Sequence, residues 1–235
     1  MKKVSKDIVK KAFSVTIPVM TGYLVLAIGF GILLKTKGYG VGWSIAMSGF
    51  IYAGSMQYLT IDLLCGRASL LTTAMTTLMV NARHLFYGIS MVERYKGTGK
   101  RKPYLIFALT DETYSLVCSE ESTKGIKEPK EYYFLVSLFN QTYWVVGSII
   151  GSLLGNIIPF NVEGIDFALT ALFVTIFVEQ WLTAKEYFPA LTGVFVSAMF
   201  LESVGADRFL IPSMIMIVLV LLIFRGKIEN KADEI

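Results

Sequence analysis

The chain is divided into long apolar runs that carry almost no charge, with short polar segments between them. The first run covers about residues 13–34, and the last covers about residues 209–224. About 20 apolar residues in a helix match the hydrocarbon core of a bilayer, which is about 30 Å thick. Helices can span that core because their backbone polar groups are bonded within the segment. The runs predict an all-α, multi-pass membrane bundle of about 6 to 8 membrane segments.

Charged residues are scarce, and most of them lie between the apolar runs. They make up 17% of the 235 residues, against about 25% in an average soluble domain. One group of lysines lies in residues 1–11, and a second basic group lies in residues 93–102. Basic residues beside apolar runs are typical of cytoplasmic loops, so they do not indicate a nucleic-acid partner. We expect a cytoplasmic N-terminus, no soluble domain and a polar C-terminal tail over residues 226–235.

No motif in the chain indicates a cofactor or a metal. Cys65 and Cys118 have neither metal-binding nor redox spacing, so we expect no disulfide and no zinc site. The chain also has no phosphate-binding loop of the GxxxxGK[S/T] type. If the protein is a transporter, we expect an ion gradient to drive it, unless it is a passive path.

The second apolar run, residues 41–65, is interrupted by small and polar residues. Gly54 weakens the helix, and Ser55 and Gln57 can bond the backbone groups that a break would free. Discontinuous helices form the substrate sites of many transporters near the middle of the bilayer. We therefore predict a break within residues 52–57.

The third run, residues 68–91, carries the only histidine of the protein. Asn81, His84 and Gly88 are spaced by three and four residues, so a helix places them on one face. Arg83 points away from that face, and an arginine at the centre of a membrane helix costs roughly 2.5 to 3.5 kcal/mol. Arg83 therefore either meets an acidic partner or extends to the membrane interface. This cluster is the first candidate for a functional site.

Residues 104–119 are short for a full span and have a polar centre, TDET, at residues 110–113. The segment is compatible with a short buried helix, a re-entrant piece or a helix at the interface. Inside a membrane its two acids need partners, for which Arg83 and His84 are the candidates. Outside a membrane, Thr110 would simply cap a helix whose first turn contains the acids.

The order of residues in the two halves of the chain indicates a weak internal repeat. Residues 43–59 align with residues 166–182 through a few identities. Weak repeats are typical of transporter folds, which bind substrate at the repeat interface. We predict one transmembrane domain over residues 1–235, with repeat halves of about 13–92 and 132–202.

The two basic groups constrain the topology. Both favour the cytoplasm, whereas three full crossings between them would place them on opposite sides. One early segment is therefore split or re-entrant, and the regions around Gly54 and Asn81 are the candidates because they have the most polar content.

Four motifs follow one another along the chain. They are Gly29-Phe30-Gly31, the string AGSMQ at 53–57, the string NARHLFYG at 81–88 and Thr110-Asp111-Glu112. Together they resemble the large subunit of the AzlC/YgaZ-type branched-chain amino acid transporters, over about residues 13–224. The resemblance implies a bacterial inner-membrane exporter of branched-chain amino acids. It also implies a partner, a small and separately encoded hydrophobic subunit of the AzlD/YgaH type.

The polar residues in the apolar runs can be matched to the groups of a zwitterionic amino acid. Its carboxylate suits the backbone donors after Gly54 and Ser55, or the guanidinium of Arg83. Its ammonium suits backbone carbonyls, Gln57 or an acid, and its side chain suits nearby apolar residues. We predict substrate contacts at Gly54, Ser55, Gln57, Asn81, Arg83, His84 and Asp111.

A proton relay is a further prediction. Imidazole has an ordinary pKa of about 6.5, so His84 could exchange protons near neutral pH. Asp111 and Glu112 could pass the proton on. The alternative is that His84 only bonds a neighbouring helix.

Two other function classes remain open at this stage. The chain could be a membrane assembly subunit without a substrate path of its own. Ser55, His84 and Asp111 also contain the residue types of a nucleophilic triad, but residue types without geometry are weak evidence for an intramembrane enzyme.

Overall fold

The computed structural model describes residues 5–118, 123–126, 128–155, 171, 174, 177–178, 181–182, 184, 186–205 and 209–233. Every regular element in these residues is helical, so the predicted all-α class is confirmed. The chain divides into two compact units, Met1–Leu169 and Thr170–Ile235. Most of the second repeat copy, residues 166–182, lies outside the described residues, so the repeat stays a prediction.

The described part of the first unit contains the following helices in chain order. They are α1 (Lys6–Thr36), α2 (Val41–Phe50), α3 (Gly54–Cys65), α4 (Leu70–Val80), α5 (Ala82–Ser90), α6 (Lys102–Phe107), α7 (Asp111–Val117) and α8 (Pro129–Leu154). A 3₁₀ turn, Gly99–Arg101, leads directly into α6. Among the described helices, α1 and α8 are each long and apolar enough to cross a membrane alone.

Helices α1 and α8 pack side by side and run in the same direction. In the first half of each helix, the rings of Phe13 and Phe139 meet edge to face with centroids 5.9 Å apart. Near their ends, a Cβ added to Gly155 would lie 3.0 Å from the Cβ of Lys35. Contacts thus advance along both helices together, which is the signature of a parallel pair.

Glycines bring the backbones of α1 and α8 into direct contact. A Cβ on Gly31 would overlap the carbonyl oxygen of Ser148, and a Cβ on Gly151 would overlap that of Ile28. Small residues permit this close approach between membrane helices. Gly31 of the Gly29-Phe30-Gly31 motif therefore serves helix packing.

The predicted break in the second apolar run is confirmed, at the beginning of the predicted interval. Helix α2 ends at Phe50 and α3 begins at Gly54. Tyr52 between them has a φ of 43°, in the left-handed region that a bulky residue rarely adopts. Gly54 does not supply the turn. It makes room for Trp144, since a Cβ there would lie 2.9 Å from the indole ring.

The other two polar segments are also interrupted. The third run is split at Asn81, which ends α4 and precedes α5. The segment 104–119 forms α6 and α7, with Thr110 as the residue before α7. The Thr110 hydroxyl accepts a hydrogen bond from the Thr113 backbone N–H at 3.3 Å, so the predicted cap is confirmed.

The basic loop, residues 93–102, and the described part of the first basic group, residues 5–11, lie at the same end of the α1–α8 pair. The Lys130 ammonium donates to the carbonyl of Gly97, and Arg101 forms an ion pair with Glu131 at 2.6 Å. This hydrogen bond and this ion pair link the basic loop to the beginning of α8. Because α1 and α8 are parallel, this loop shares its end with the N-terminus, as the charge pattern predicts.

The second unit contains α9 (Phe188–Val204) and α10 (Leu210–Asp233) within its described residues. Helix α10 continues into the predicted polar tail as far as Asp233, the last described residue. Many large apolar side chains on these helices are exposed, including Leu191, Phe195 and Ile223. Exposed apolar surface of this kind is expected of helices that face lipid.

Candidate functional site

The predicted site residues lie at the interruptions of the helices. Gly54, Ser55 and Gln57 occupy the first turn of α3. Asn81 and His84 lie at the junction of α4 and α5, and Asp111 and Glu112 begin α7. Breaks free backbone polar groups, so polar side chains at these points are expected inside a membrane bundle.

Gln57 is completely buried and is hydrogen-bonded through both ends of its amide. Its Oε1 accepts a hydrogen bond from the indole N–H of Trp144 at 2.8 Å, and its Nε2 donates to Ser48 Oγ at 3.3 Å. These bonds tie the first turn of α3 to α8 and to α2. Gln57 therefore fixes the position of the broken helix, and Gly54 beside it provides the surface on which the Trp144 ring rests.

Serines extend this polar layer across α2 and α8. Ser48 donates to the Ser148 hydroxyl at 2.8 Å, and Ser44 donates to the Ser148 carbonyl at 2.9 Å. All three are completely buried. Hydroxyl groups of this size satisfy each other without holding the backbones apart, so α2 packs closely on α8.

Tyr23, in the middle of α1, holds the tip between α6 and α7. Its hydroxyl donates to Glu112 Oε2 at 2.6 Å and lies 2.7 Å from the Thr110 hydroxyl. Thr113, in the same turn, accepts a hydrogen bond from Asn140 of α8 at 3.0 Å. These contacts place the beginning of α7 beside the middle of α1, and the position of residues 104–119 relative to the membrane stays a prediction.

The Asn81–His84 region packs towards α7 through aromatic rings. His84 Nδ1 lies 3.2 Å from the backbone carbonyl of Asn81, and its ring meets Tyr87 edge to face at 6.0 Å. Tyr87 in turn stacks on Tyr114 of α7 with centroids 4.6 Å apart. The Oδ1 atom of Asn81 is buried with no hydrogen-bond partner among the described residues.

The predicted face of α5 agrees with these contacts. Asn81, His84 and Gly88 are half-buried, whereas Leu85 and Ile89 have 62% and 71% of their surface exposed. The Arg83 side chain lies outside the described part of the structure. Its pairing with Asp111 or Glu112 therefore stays a prediction.

One contact links the two groups of site residues. The rings of Tyr23 and Trp144 meet edge to face with centroids 5.2 Å apart. Tyr23 bonds the Glu112 side of the site, and Trp144 bonds the Gln57 side. The breaks before α3 and before α7 therefore lie at one level of the bundle.

Sequence reasoning gave no site role to Tyr23, Trp144 or Tyr52. Each lies in an apolar run where an aromatic residue is unremarkable. The feature that could have indicated these residues is the polar atom of each ring, because a buried Tyr hydroxyl or Trp N–H usually has a hydrogen-bond partner. Asn140 was visible as a polar residue in an apolar run, but its partner on α7 was not.

The chain has clear relatives. A family model described as AzlC protein matches residues 18–158, which include every predicted site residue. The branched-chain amino acid transport protein AzlC of Bacillus subtilis (strain 168) is 42% identical over 221 residues, covering 94% of this chain and 87% of the relative. An uncharacterized membrane protein of Helicobacter pylori (strain ATCC 700392 / 26695) is 39% identical over 220 residues, covering 94% and 96%.

A more distant relative is inner membrane protein YgaZ of Escherichia coli (strain K12). It is 25% identical over 203 residues, covering 84% of this chain and 80% of the relative. No solved structure matches the chain.

Proposed function

The chain belongs to the AzlC protein family, and from that premise we propose that it is a secondary transporter of branched-chain or other small neutral amino acids. Its relatives are named as transport proteins or membrane proteins, so the chain is a membrane protein with a transport role and is not an enzyme. The relative from Bacillus subtilis is named a branched-chain amino acid transport protein. The observation that carries the proposal is the layer of broken helices around Tyr23 and Trp144.

The site has distinct surfaces for the parts of a zwitterionic amino acid. The first turn of α3 begins without a side-chain cap, so its backbone N–H groups favour a carboxylate. The buried Oδ1 of Asn81 can accept from an ammonium, and Arg83, His84 and Asp111 complete the proposed contacts. Ser55 lies in the same first turn of α3 and belongs to the carboxylate side. Gln57 positions this turn through Trp144.

Energy coupling by protons is part of the proposal. Glu112 lies on a tip that reaches the middle of α1, with the Tyr23 hydroxyl bonded to its carboxyl group. His84, Asp111 and Glu112 are the proposed relay, and the ring stack from His84 through Tyr87 to Tyr114 joins α5 to α7. A carboxyl group at such a tip can change its protonation state as the tip moves between polar and apolar surroundings.

We further propose that the protein works in the bacterial cytoplasmic membrane, with its N-terminus in the cytoplasm. The shared end of the two basic groups supports this orientation. Export is the proposed direction, and a small hydrophobic subunit of the AzlD type is the proposed partner. Both follow from the family resemblance.

Reconstitution into vesicles tests the transporter and its partner together. The purified chain, alone and with a small AzlD-type subunit, is placed in vesicles preloaded with radiolabelled valine or leucine. We expect efflux that a proton gradient accelerates and that requires, or is increased by, the small subunit. Absence of efflux in both preparations, with correctly folded protein, would contradict the transporter and favour an assembly subunit.

Substitution of Asn81 tests the proposed site. Asn81→Ala removes the proposed ammonium acceptor, and we expect the Km for valine to rise about tenfold, equivalent to about 1.4 kcal/mol. Leu85→Ala, one turn away on the exposed face, is the matched control and should leave Km unchanged. An unchanged Km in Asn81→Ala would exclude Asn81 from the site.

A further inference from the structure

Helices α2 and α3 form a hairpin rather than one crossing. Helix α2 starts at the end of α1, and its Gly49 carbonyl accepts a hydrogen bond from Gln141, near the middle of α8. Helix α3 then runs back. Gly54 rests on Trp144, and one turn later Tyr58 donates to the carbonyl of Leu26, further towards the end of α1.

A contact within the hairpin confirms the reversal. Gln57 of α3 reaches Ser48 of α2, nine residues earlier. In a continuous helix these residues would be separated by about 13 Å along the axis. The chain therefore enters and leaves this hairpin at the C-terminal end of α1.

Helices α6 and α7 form a second hairpin that starts from the opposite end. Arg101 lies beside Glu131 at the beginning of α8, and Tyr104 donates to Gln141, further along α8. After the tip, Val117 returns to the buried apolar cluster that contains Ile8 near the beginning of α1. This hairpin enters and leaves at the N-terminal end of α1.

The tips of the two hairpins meet. The rings of Tyr52 and Phe107 lie with centroids 6.3 Å apart. Next to Phe107, Ala108 is completely buried and Thr110 bonds Tyr23. Tyr23 lies 17 residues after Lys6 and 13 before Thr36, so the meeting point is about 20 Å or more from either end of α1.

We propose that α2–α3 and α6–α7 are re-entrant hairpins from opposite membrane faces, and that their junction at Tyr52 and Phe107 is the barrier that selects the amino-acid side chain by size. The proposal rests on the transport function proposed above. Non-helical backbone at membrane depth occurs where it is buried in protein or lines a water-filled path. Here both tips come from opposite sides to a single point, so the junction separates the two faces.

The backbone of Tyr52 supports a functional role for this residue. An aromatic residue with φ of 43° is strained, by about 1–3 kcal/mol, and such strain persists where the surroundings enforce it. Tyr52 has only 3% of its surface exposed, so its ring fills the space at the tip. Phe107 keeps 40% of its surface exposed, so one of the two rings at the junction retains accessible apolar area.

The natural cysteines test the two hairpins without reference to transport. Cys65 is the last residue of the first hairpin, and Cys118 directly follows the second. Variants with one cysteine each, at Cys65, Cys118, Lys37→Cys or Lys100→Cys, are treated in sealed vesicles with a membrane-impermeant maleimide. The two lysine positions are exposed and precede the hairpins.

We expect Lys37→Cys and Cys65 to react from one face, and Lys100→Cys and Cys118 to react only from the other. Reaction of Lys37→Cys and Cys65 from opposite faces would make α2–α3 a crossing, and the same result for the second pair would make α6–α7 a crossing. Either result overturns the inference and leaves the transport function untouched.

Substrate competition tests the junction as a selection point. We expect Tyr52→Ala to raise the rate for phenylalanine relative to valine by about tenfold, the scale on which pocket size discriminates apolar groups. Phe50→Ala is the matched control, because Phe50 is a nearby aromatic with 83% of its surface exposed. Phe107→Ala provides a second opening of the same junction if Tyr52→Ala is unstable.

The two proposals fail in different ways. An unchanged phenylalanine-to-valine ratio in both junction variants, with valine transport intact, overturns the junction as the selection point. Loss of all amino-acid flux from the unmodified protein would instead overturn the transporter, while the cysteine reactions would still report the hairpins.

Discussion

Trp144 contacts three residues of the candidate site, although its position in an apolar run gave no sign of such a role. Its N–H bonds Gln57, its ring packs on Gly54, and its edge meets Tyr23. The break before α3 is therefore positioned against this indole group, and the break before α7 is bonded to Tyr23, which the indole contacts. At this scale the site depends on buried polar atoms having their partners, because an unpaired buried acceptor costs about 1–3 kcal/mol.

Trp144→Phe should destabilise the protein by about 1–3 kcal/mol, because Gln57 Oε1 would remain buried without its donor. The measurement is the thermal unfolding midpoint of the purified protein in detergent. Trp43→Phe is the control, since Trp43 has 52% of its surface exposed. Equal midpoints for the two variants would show that the Trp144–Gln57 hydrogen bond contributes nothing to stability.

Tyr23 and Glu112 should behave as a coupled pair. Tyr23→Phe removes the hydroxyl donor, and Glu112→Gln changes the acceptor. We expect their effects on the free energy of unfolding to deviate from additivity by about 0.5–3 kcal/mol, as for residues in one hydrogen-bond network. Tyr23→Phe combined with Glu131→Gln, at the end of the bundle, should be additive. Additive effects in the Tyr23–Glu112 pair would show that this hydrogen bond does not couple α1 to the α6–α7 tip.

At the scale of the helices, local signals were readable from the sequence and distant pairings were not. The Thr110 cap and the break near Gly54 depend on neighbouring residues, and both were predictable. The bond between Trp144 and Gln57 joins residues 87 apart. Nothing in either segment specifies that partner, so the hairpins became visible only through their contacts.

The break beside Gly54 also shows where local rules mislead. Glycine is the residue best suited to a left-handed backbone, so Gly54 was the natural point for the turn. The structure uses Tyr52 instead and keeps Gly54 helical to accept the Trp144 ring. The role of Gly54 is therefore set by its packing against α8 and not by its backbone conformation.

Gly31→Ala should separate α1 from α8, because the added methyl group would overlap the Ser148 carbonyl and backbone cannot move aside as a side chain can. We expect a loss of more than about 2 kcal/mol, in the range of overpacked cores. Gly22→Ala on the same helix is the control, since nothing lies within 4 Å of its added Cβ. Thermal unfolding of both variants in detergent measures the difference, and equal stability would contradict the close glycine contact.

At the scale of the whole molecule, the parallel direction of α1 and α8 fixes the count of crossings between them to an odd number. Two hairpins that return to their own side contribute none. Helices α4 and α5 remain, and from Leu70 to Ser90 they extend about 30 Å, enough for one crossing. Of the three apolar runs between the two basic groups, two therefore cross the membrane and one is a hairpin. The two basic groups then lie on the same side.

The short distance between the two tips has an electrical consequence. Where water reaches a hairpin tip from each side, the membrane potential no longer falls evenly over the bilayer and instead falls across the few ångströms of protein at the junction. A charge that crosses this thin layer gains or loses the full energy of the potential, about 2.3 kcal/mol per elementary charge for each 100 mV. A proton carried on Glu112 would then be driven by voltage as well as by pH, although the α6–α7 tip would need to move only across this thin layer.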